Sequence, residues 1–415
     1  MRPLLALLAA ALATPLAAEP PASVAVAFDR HTITPVLAEG YADRASRRKV
    51  TADDPARIAS ISKLVTTLGV MRLVDSGKLD LDRDVSVYLG WHLRNHAFPD
   101  KVITLRLLLS HQSSLIDGPD LYIIPLGETL RVRLADPRAW DALHAPGSGW
   151  FHYTNLNFPV VASVMEAATG ERFDFLMRRL VLKPLRLDAC FNWSGCSAAA
   201  VKRAVVLYRA SGVVAKDDLT GQVPCPVVTA QGAACDLAHY VPGWNGALFS
   251  PQGGLRISMR DLARIGQLLA RQGKGLISVA SYREMTRAQW QFSGSNGLGE
   301  DGSELSIFCN YGLATHQIGS RGVRCHDDLF GDGAPRIGHS GDAYGLKSGL
   351  WWDPVSGKGL AFFTTAVADS ETGQRSAFTS REEALVDRIR AHGSHQTNRI
   401  DSGGNSAANG SHSAR

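Results

Sequence analysis

A serine and a lysine three residues apart constrain this chain more than any other feature. Ser60 and Lys63 stand in the segment 58–63, after what reads as an N-terminal strand pair and at the start of an apolar, helix-like run. Positions i and i+3 of a helix lie on one face, so the lysine ammonium can reach the serine hydroxyl without help from other segments. A serine at a helix N-terminus also meets unpaired backbone N–H groups and the positive end of the helix dipole. A nucleophile that attacks a carbonyl group requires such surroundings.

Taken alone, a Ser-x-x-Lys spacing is weak, because several such matches arise by chance in 415 residues and a polar helix start explains most of them. Two later motifs give it weight. Tyr153-Thr154-Asn155 follows a glycine-rich turn and precedes an apolar helical run, and His339-Ser340-Gly341 leads into strand-like residues. Tyr153 could be an ordinary core tyrosine, but its place between that turn and that helix favours a functional role.

Together the three motifs resemble the signature of the penicillin-recognising serine hydrolases: Ser-x-x-Lys, then Tyr-x-Asn, then Lys/His-Thr/Ser-Gly. The Tyr-x-Asn form is similar to that of class C β-lactamases, D,D-peptidases and related esterases. Residues 103–115 and the Gly-Gly-Leu…Ser-x-x-Asp-Leu pattern of 253–262 resemble the same family. The resemblance covers about residues 22–392. It implies an α/β (α+β) fold, in which an antiparallel sheet is flanked by helices, a mainly helical region is inserted at about 70–250, and the active site lies in the cleft between them.

The resemblance also implies roles for the motif residues. Ser60 would be the nucleophile, Lys63 the base that activates it, and Tyr153 the second proton carrier. The backbone N–H groups of Ser60 and Asp342 would form the oxyanion hole, where each donor typically lowers the barrier by about 3 to 4 kcal/mol. No metal or organic cofactor is required. The substrate would be bound by Asn155, His339, Ser340 and Gly341, with the Asn155 amide holding the acyl-side amide.

Two positions depart from the family pattern. His339 stands where class C β-lactamases carry lysine, which is similar to certain D,D-carboxypeptidases and aminopeptidases and weighs against an efficient β-lactamase. Hydroxyl groups at positions 340 and 342 would grip a substrate carboxylate; Ser340 fits, whereas the carboxylate of Asp342 would repel it. This gives weight to an esterase, or to an amidase for a neutral or cationic substrate.

We therefore expect an exported serine hydrolase that forms an acyl-enzyme on Ser60 and cleaves D-alanyl-D-alanine-type amides, as a D,D-peptidase does. The alternative is a carboxylesterase or a weak class C-like β-lactamase with the same machinery. A third hypothesis is a catalytically silent penicillin-binding or sensor protein, against which the intact Ser60, Lys63, Tyr153 and Asn155 argue. The expected substrate is a small molecule or peptide with a cell-wall-type amide or an ester.

Two other side chains compete for a catalytic role. Ser340 lies in the segment 338–342, which nearly matches the Gly-x-Ser-x-Gly nucleophile elbow of α/β-hydrolases. The fifth position is Asp342, however, and the flanks read as strand–strand where the elbow needs strand–turn–helix. His111 follows a leucine-rich segment and is a candidate base, but we interpret it as structural, holding a loop near the site.

Composition and charge are those of an ordinary globular protein. Apolar residues make up 45% and charged residues 20%, and the net charge of +5 is spread without a basic block, which argues against nucleic-acid binding. Residues 1–18 read as a secretory signal cleaved after Ala18, with Ala13 as the alternative, and no other stretch approaches transmembrane length. We predict a secreted or periplasmic hydrolase domain over 19–392 without an integral membrane segment, and a disordered tail over 393–415.

The six cysteines form three sequence-near pairs. Local disulfides are the natural expectation in an exported protein. They would join Cys190 to Cys196, Cys225 to Cys235, and Cys309 to Cys325. Six cysteines allow fifteen connectivities, so proximity is only a preference, and buried thiols are the alternative. A metal site is disfavoured because the spacings match no zinc pattern and the thirteen histidines do not cluster.

The clearest secondary-structure signals lie near the two ends of the chain. Ser23–Phe28 and Thr34–Ala38 predict a β-hairpin. Residues 348–365 predict an antiparallel strand pair, with the third motif on or just before an edge strand. Ser380–Glu383 predicts a capping box that opens a final amphipathic helix. Residues 185–250 show no clean periodicity, and we expect loops and short helices there.

Overall fold

The computed structural model describes residues 20–220, 222–298, 307–320 and 325–401, with side chains described up to Ala391. The expected signal peptide, residues 1–18, lies outside the described residues, as does the end of the expected tail, residues 402–415. Among the helices of the described ranges, none is long and apolar enough to cross a membrane.

The strands, in chain order, are β1 Ser23–Phe28, β2 Ile33–Glu39, β3 Tyr41–Asp43, β4 Arg48–Lys49, β5 Ala56–Arg57, β6 Phe151–His152, β7 Cys190–Phe191, β8 Leu207–Tyr208, β9 Val214–Lys216, β10 Leu255–Ile257, β11 Trp290–Gln291, β12 Gly297–Leu298, β13 Asn310–Tyr311, β14 His316–Ile318, β15 Arg336–Ala343, β16 Leu346–Trp352 and β17 Gly359–Thr364. Eight of them form the central sheet, in the order β11-β13-β14-β15-β16-β17-β1-β2. The predicted hairpin is confirmed, since β1 pairs antiparallel with β2. β1 also pairs antiparallel with β17, so the two ends of the domain meet in one sheet.

The third motif lies on β15, and the prediction of an edge strand is wrong. β15 has β16 on one side and β14 on the other, with β13 and β11 beyond β14. These outer strands are only two or three residues long, so the short segments carried no readable alternation. Pairing of β14 with β15 nevertheless ends at Gly338, so in the described part of the chain the residues after Gly338 pair with β16 alone.

The helices are α1 Ile61–Asp75, α2 Ser86–Leu89, α3 Leu105–Leu109, α4 Leu130–Arg133, α5 Asn157–Thr169, α6 Phe173–Met177, α7 Ala198–Lys202, α8 Met259–Ala270, α9 Val279–Thr286 and α10 Ser380–Asp401. A 3₁₀ turn at Pro137–Ala139 and a π-helical turn at Arg178–Leu182 complete the set. The segments from α2 to α7 form the mainly helical insertion that the resemblance implied, and residues 185–250 are mostly loop. The predicted fold class is confirmed.

The central sheet separates two apolar layers because successive side chains on a strand point to opposite faces. On β16, Leu350 and Trp352 belong to the large core that includes residues of α1 and α8. Trp351, between them, belongs to the smaller core that includes Leu385 and Val386 of α10. Helix α1, which begins directly after Ser60, therefore packs on the face opposite α10.

Two expectations near the C-terminus need correction. The capping box is formed by Thr379 and Glu382, one residue earlier than predicted: the Glu382 carboxylate accepts from the Thr379 backbone N–H at 2.9 Å, and the Glu382 N–H donates to the Thr379 hydroxyl at 3.3 Å. α10 continues to Asp401, past Gly393 where the tail was expected to begin. A helix anchored on a core propagates at little cost, since each added residue adds one hydrogen bond.

All three expected disulfides are present. They join Cys190 to Cys196, Cys225 to Cys235, and Cys309 to Cys325. The Cys225–Cys235 bridge closes a turn in the insertion, and Cys225 itself lines a cleft beside Ser60.

Candidate active site

Ser60 stands where the chain turns from β5 into α1. Ala59, directly before it, has a φ of 50°, a left-handed conformation that alanine rarely adopts. This turn places Ser60 at the N-cap of α1. In the described part of the chain, the Ser60 backbone N–H has no backbone acceptor. The hydroxyl and the N–H of Ser60 thus both lie at the positive end of a helix of 15 residues.

Lys63 is fully buried and lies against Ser60 as the i, i+3 spacing predicted. Its Nζ is 2.9 Å from Ser60 Oγ, 2.7 Å from Asn155 Oδ1 and 3.3 Å from the Gln252 carbonyl oxygen. Two of these neighbours come from distant segments, and all three are neutral oxygens. The second motif and the loop before β10 therefore converge on the Ser60–Lys63 pair.

A carboxylate that the sequence analysis did not identify orients Asn155. Asp117 Oδ2 accepts a hydrogen bond from Asn155 Nδ2 at 2.9 Å, and Asp117 Oδ1 accepts from the Leu156 N–H at 2.8 Å. The Thr154 hydroxyl also donates to Asp117. Because the Asn155 Nδ2 group is directed at Asp117, its Oδ1 is left facing Lys63.

Tyr153 sits beneath the same pair, in an aromatic cluster. Its ring is 3% exposed, stacks on Phe308 with 4.7 Å between centroids, and lies 4.4 Å from the His111 ring. Lys63 Nζ is 4.9 Å from the centre of the Tyr153 ring. The first two motifs are therefore in contact, and the tyrosine is held rigidly by its neighbours.

His339 is fully buried and completes the floor of the site. Its Nδ1 lies 2.6 Å from the Ser340 carbonyl oxygen, which can only accept, so Nδ1 carries the proton. Its Nε2 lies 2.9 Å from the Tyr311 hydroxyl and accepts from it. Burial holds the pKa of His339 well below its ordinary value. His339 is thus a neutral imidazole of fixed tautomer, and it supplies no positive charge to the site.

The rest of the third motif divides between the two faces of the sheet. Gly341 abuts the Ser60 turn, where a Cβ would stand 2.3 Å from the Ile58 carbonyl oxygen. Ser340 and Asp342 alternate with Gly341 along β15, so their side chains point to the other face. The Asp342 carboxylate pairs there with Lys347 of β16. The charge of Asp342 is therefore paired with a cation of its own.

Both competing side chains have structural positions. Ser340 pairs with Gly349 within a continuous strand, which is not the strand–turn–helix of a nucleophile elbow. His111 accepts at Nδ1 from the Thr154 backbone N–H at 3.1 Å, in a backbone conformation with φ of 56°. Burial also holds the pKa of His111 well below its ordinary value. His111 thus supports the second motif.

A cleft with a cavity volume of about 480 Å³ opens beside Ser60 and Asn155. Its walls come from the Ser60 turn, the end of β15, the loop before β10 and the insertion around Cys225. Tyr153 and His339 are packed under Phe308 and Tyr311 and do not line it. The cleft therefore extends from the Asn155 side of Ser60.

A family model described as "Beta-lactamase" matches residues 9–384, a range that contains all three motifs. The chain belongs to the β-lactamase family. Its relatives within the family include esterase EstB of Burkholderia gladioli, 30% identical over 245 residues, which are 55% of this chain and 60% of EstB. Penicillin-binding protein 4 of Amycolatopsis lactamdurans is 29% identical over 151 residues, which are 36% of this chain and 39% of that protein. The chain thus spans less than two thirds of these β-lactamase-family relatives.

The structural comparison agrees on the fold. The class C β-lactamase of Rhodobacter sphaeroides superimposes with a TM-score of 0.63 and 15% identity, covering 90% of this chain and 95% of that one. At this identity the likeness shows the shared fold alone.

The sequence analysis missed Asp117, Gln252 and Tyr311, which hold the motif residues in place. Asp117 had one available signal, since it follows closely after the family-like segment that ends at Leu115. Gln252 acts through its backbone carbonyl, which no side-chain pattern can reveal. Tyr311 lies on a two-residue strand with no readable periodicity.

Proposed function

We propose that this protein is a serine hydrolase that cleaves carboxylic esters through an acyl-enzyme on Ser60. The observation that carries the proposal is the set of three neutral oxygens around Lys63 Nζ, one of them Ser60 Oγ at 2.9 Å. In the neutral amine, two N–H groups donate to Asn155 Oδ1 and to the Gln252 carbonyl, and the lone pair accepts the Ser60 O–H. Full burial of the lysine favours this uncharged form.

Acylation follows from this arrangement. Ser60 Oγ attacks the ester carbonyl carbon as its proton passes to Lys63 Nζ. The negative oxygen that develops is stabilised by the backbone N–H groups of Ser60 and Asp342. The bond between the carbonyl carbon and the alcohol oxygen then breaks, and the proton travels from Lys63 through the Tyr153 hydroxyl to the departing alcohol.

Deacylation repeats these steps with water as the nucleophile. Tyr153 and Lys63 take a proton from water as its oxygen adds to the acyl carbon. The bond to Ser60 Oγ breaks, the serine recovers the proton, and a carboxylic acid is released. The reaction consumes one ester and one water and needs no cofactor for its balance.

The neutral state of His339 favours an ester over a D-alanyl-D-alanine substrate. A D-alanine leaving group carries a carboxylate, which gains from a cation at the third motif, whereas an alcohol does not. Here the imidazole proton is donated to the Ser340 carbonyl, and the Asp342 and Ser340 side chains point to the opposite face. The name of the relative EstB also supports the esterase reading.

Hydrolysis of p-nitrophenyl butyrate, followed with the intact mass of the protein, tests the proposal. We expect turnover and a butyryl adduct on the wild type, and loss of both in Ser60→Ala. Lys63→Met should retain less than about a hundredth of the rate. Ser76→Ala, at the other end of α1, serves as the matched control. A wild type that leaves this ester intact would contradict the proposal and favour a silent binding protein.

A second substrate separates the ester reading from the D,D-peptidase that was first expected. Wild-type protein is given an acetylated lysyl-D-alanyl-D-alanine peptide, and separately benzylpenicillin. We expect kcat/KM for the peptide to be at least about a hundredfold below that for the ester. A faster peptide reaction, with a lasting penicillin adduct on Ser60, would replace the ester proposal by a D,D-peptidase.

Export is part of the same proposal. The leader-like pattern of residues 1–18 and the three disulfides support a protein that folds outside the reducing cytoplasm. The mass of the protein recovered from culture fluid or periplasm should match a chain that begins at Glu19. A protein that stays in the cytoplasm with its N-terminus intact would contradict export.

A further inference from the structure

One wall of the cleft beside Ser60 is lined by cations that surround a single tyrosine ring. The Arg57 guanidinium lies 4.6 Å from the centre of the Tyr344 ring, and Arg209 and Lys216 each lie 5.7 Å from it. All four residues line the cleft. Arg57 comes from the strand directly before the nucleophile turn, while Arg209 and Lys216 come from the hairpin of β8 and β9. Separate segments thus bring their charges to one place.

These three cations have few anionic partners. Arg57 donates its Nε–H to the Gly253 carbonyl oxygen at 2.7 Å, which is a neutral acceptor. Within the described ranges, neither Arg209 nor Lys216 forms an ion pair with a carboxylate. Arg209 and Lys216 are both exposed to the solvent of the cleft. A guanidinium has five N–H donors, so this wall keeps hydrogen-bonding capacity for a ligand.

The two acidic residues that line the cleft do not cancel this charge. Asp217 is held by Arg256, which donates to it at 2.8 and 3.1 Å, and by the Trp193 indole N–H at 3.0 Å. Asp342 is paired with Lys347 across the sheet. Each carboxylate therefore already has its own cation, and Arg57, Arg209 and Lys216 remain as net positive charge.

The pKa of the Tyr344 hydroxyl also indicates positive charge at this wall. Burial would raise the pKa of its hydroxyl, but the charges of Arg57, Lys216 and Arg256, with a hydrogen bond to Arg57, lower that pKa below its ordinary value. Burial and the charge of Arg256 lower the pKa of Arg57 in turn. The Tyr344 shift is that of a site with excess positive charge, whereas the Arg57 shift arises mainly from burial, to which repulsion by Arg256 adds. An anion entering this site would relieve repulsion between the cations.

We infer that this wall is an anion subsite for the acyl part of the substrate, so that the preferred ester carries a carboxylate on its acyl chain. The inference rests on the proposed function, which fixes the direction in which the substrate lies. The alcohol must leave toward Tyr153, which returns the proton, so the acyl chain runs the other way, along Asn155 into the cleft. The cleft also has an apolar stretch that suits a short methylene chain between the two carboxyl carbons; it is formed by Ile123, Ile124, Val227, Val228 and Leu248.

A matched pair of esters tests the subsite. Mono-p-nitrophenyl adipate carries a free carboxylate at the end of its acyl chain, and its methyl ester has the same chain without the charge. We expect the wild type to prefer the acid over the methyl ester by at least about tenfold in kcat/KM, after subtraction of spontaneous hydrolysis. The preference should shrink as salt rises, because exposed charges are screened. Equal rates for the two esters would overturn the inference.

Two double variants test whether the preference for the acid arises at this wall of the cleft. Arg209→Gln with Lys216→Gln removes two exposed cations without disturbing the core, and should reduce the acid-to-methyl-ester ratio by about tenfold. Arg131→Gln with Lys183→Gln removes one arginine and one lysine from exposed positions outside the cleft, so its ratio should stay at the wild-type value. A ratio that falls equally in both double variants would show a general effect of net charge and would overturn the subsite.

A binding measurement keeps this test separate from the proposed function. Ser60→Ala protein is titrated calorimetrically with the two adipate esters, which it should not cleave. We expect the acid to bind at least about tenfold more tightly than the methyl ester, and the difference to disappear when Arg209→Gln and Lys216→Gln are added. If the wild type cleaves neither ester yet this difference holds, the subsite stands and the esterase fails. Equal binding would reject the subsite whatever the activity.

Discussion

Asp117 accepts a hydrogen bond from the side-chain amide of Asn155, with 2.9 Å between Asp117 Oδ2 and Asn155 Nδ2. The opposite end of that amide, Oδ1, lies 2.7 Å from Lys63 Nζ. Asp117 also accepts from the Leu156 backbone and from the Thr154 hydroxyl, so it receives only donors. A carboxylate therefore decides which end of the Asn155 amide faces the lysine, although it does not itself touch Ser60.

Replacing Asp117 by asparagine should impair catalysis through this orientation. The new asparagine has an N–H₂ group in place of one of the two carboxylate oxygens, and this group would face a hydrogen-bond donor. Asn155 could then turn its own Nδ2 toward Lys63. Loss of one such buried hydrogen bond is worth about 1–3 kcal/mol, so we expect kcat for p-nitrophenyl butyrate to fall by about fivefold to 150-fold. The measurement is a kcat and KM comparison with the wild type.

Asp120→Asn is the control for this variant. Asp120 lies in the same turn, its side chain is exposed, and asparagine tolerates its left-handed φ of 56°. Its kcat should stay within about twofold of the wild-type value. A fall in Asp117→Asn that appears only in KM, or only as a lower melting temperature, would contradict the positioning role.

The contact between Asp117 and Asn155 also shows where sequence reasoning ends. Ser60 and Lys63 could be predicted together because a helix alone brings i and i+3 into contact. Asn155 and its partner are separated by 38 positions, and only the folded loop brings them together. The fold class was predictable because the three motifs and their order resemble a known family, which implies its fold. The side-chain orientation of Ser340 and Asp342 was not, because it depends on the register of β15 against β16.

A buried ion pair stabilises the cationic wall of the cleft. Arg256 and Asp217 have side chains that are 2% and 3% exposed, and the pair joins β10 to the segment that follows β9. Replacing Arg256 by methionine leaves the Asp217 charge buried without its cation. Such a loss typically destabilises a protein by about 3–5 kcal/mol. We expect a decrease of this size in the free energy of unfolding, measured by urea denaturation.

Two further variants test that interpretation. Arg256→Met with Asp217→Leu removes both charges, and should recover most of the stability lost in the single variant. Arg260→Met breaks a pair with Asp53 in which the two side chains are 35% and 54% exposed, and should change stability by less than about 1 kcal/mol. A double variant as unstable as Arg256→Met would contradict the explanation by an unpaired charge.

A buried glutamate should make the stability of the protein depend on pH near neutrality. Glu166 of α5 accepts hydrogen bonds from the Phe173 N–H at 2.7 Å, from the Gly243 N–H at 2.8 Å and from the Tyr240 hydroxyl. Burial, only partly offset by these hydrogen bonds, raises the pKa of Glu166 from 4.5 to about 7. The loop that donates the last two of these hydrogen bonds also contributes Ala247 and Leu248 to the lining of the cleft. Its attachment to α5 therefore depends in part on one titrating group, Glu166.

The pKa of Glu166 is higher in the folded than in the unfolded chain, so between about pH 4.5 and 7 the folded protein holds a proton that the unfolded chain has released. Stability from this group is therefore complete below pH 4.5 and is lost as pH rises through about 7. The full loss is about 3 kcal/mol. Glu166→Gln cannot ionise, so its stability relative to the wild type should improve by that amount as pH rises from 4.5 to 8.

Urea unfolding at several pH values, followed by tryptophan fluorescence, measures this difference. Placing the glutamine amide near the Phe173 N–H adds a cost in stability that does not vary with pH. The test therefore depends on how the stability difference changes with pH, and not on its absolute size. Glu284→Gln is the control, because Arg287 and Arg106 lower the pKa of Glu284 to about 2, so it is ionised in the folded protein over this whole range and in the unfolded chain at every pH well above 4.5. Its stability difference from the wild type should be constant over the same range. A constant difference for Glu166→Gln as well would mean that Glu166 does not titrate near neutrality in the folded protein.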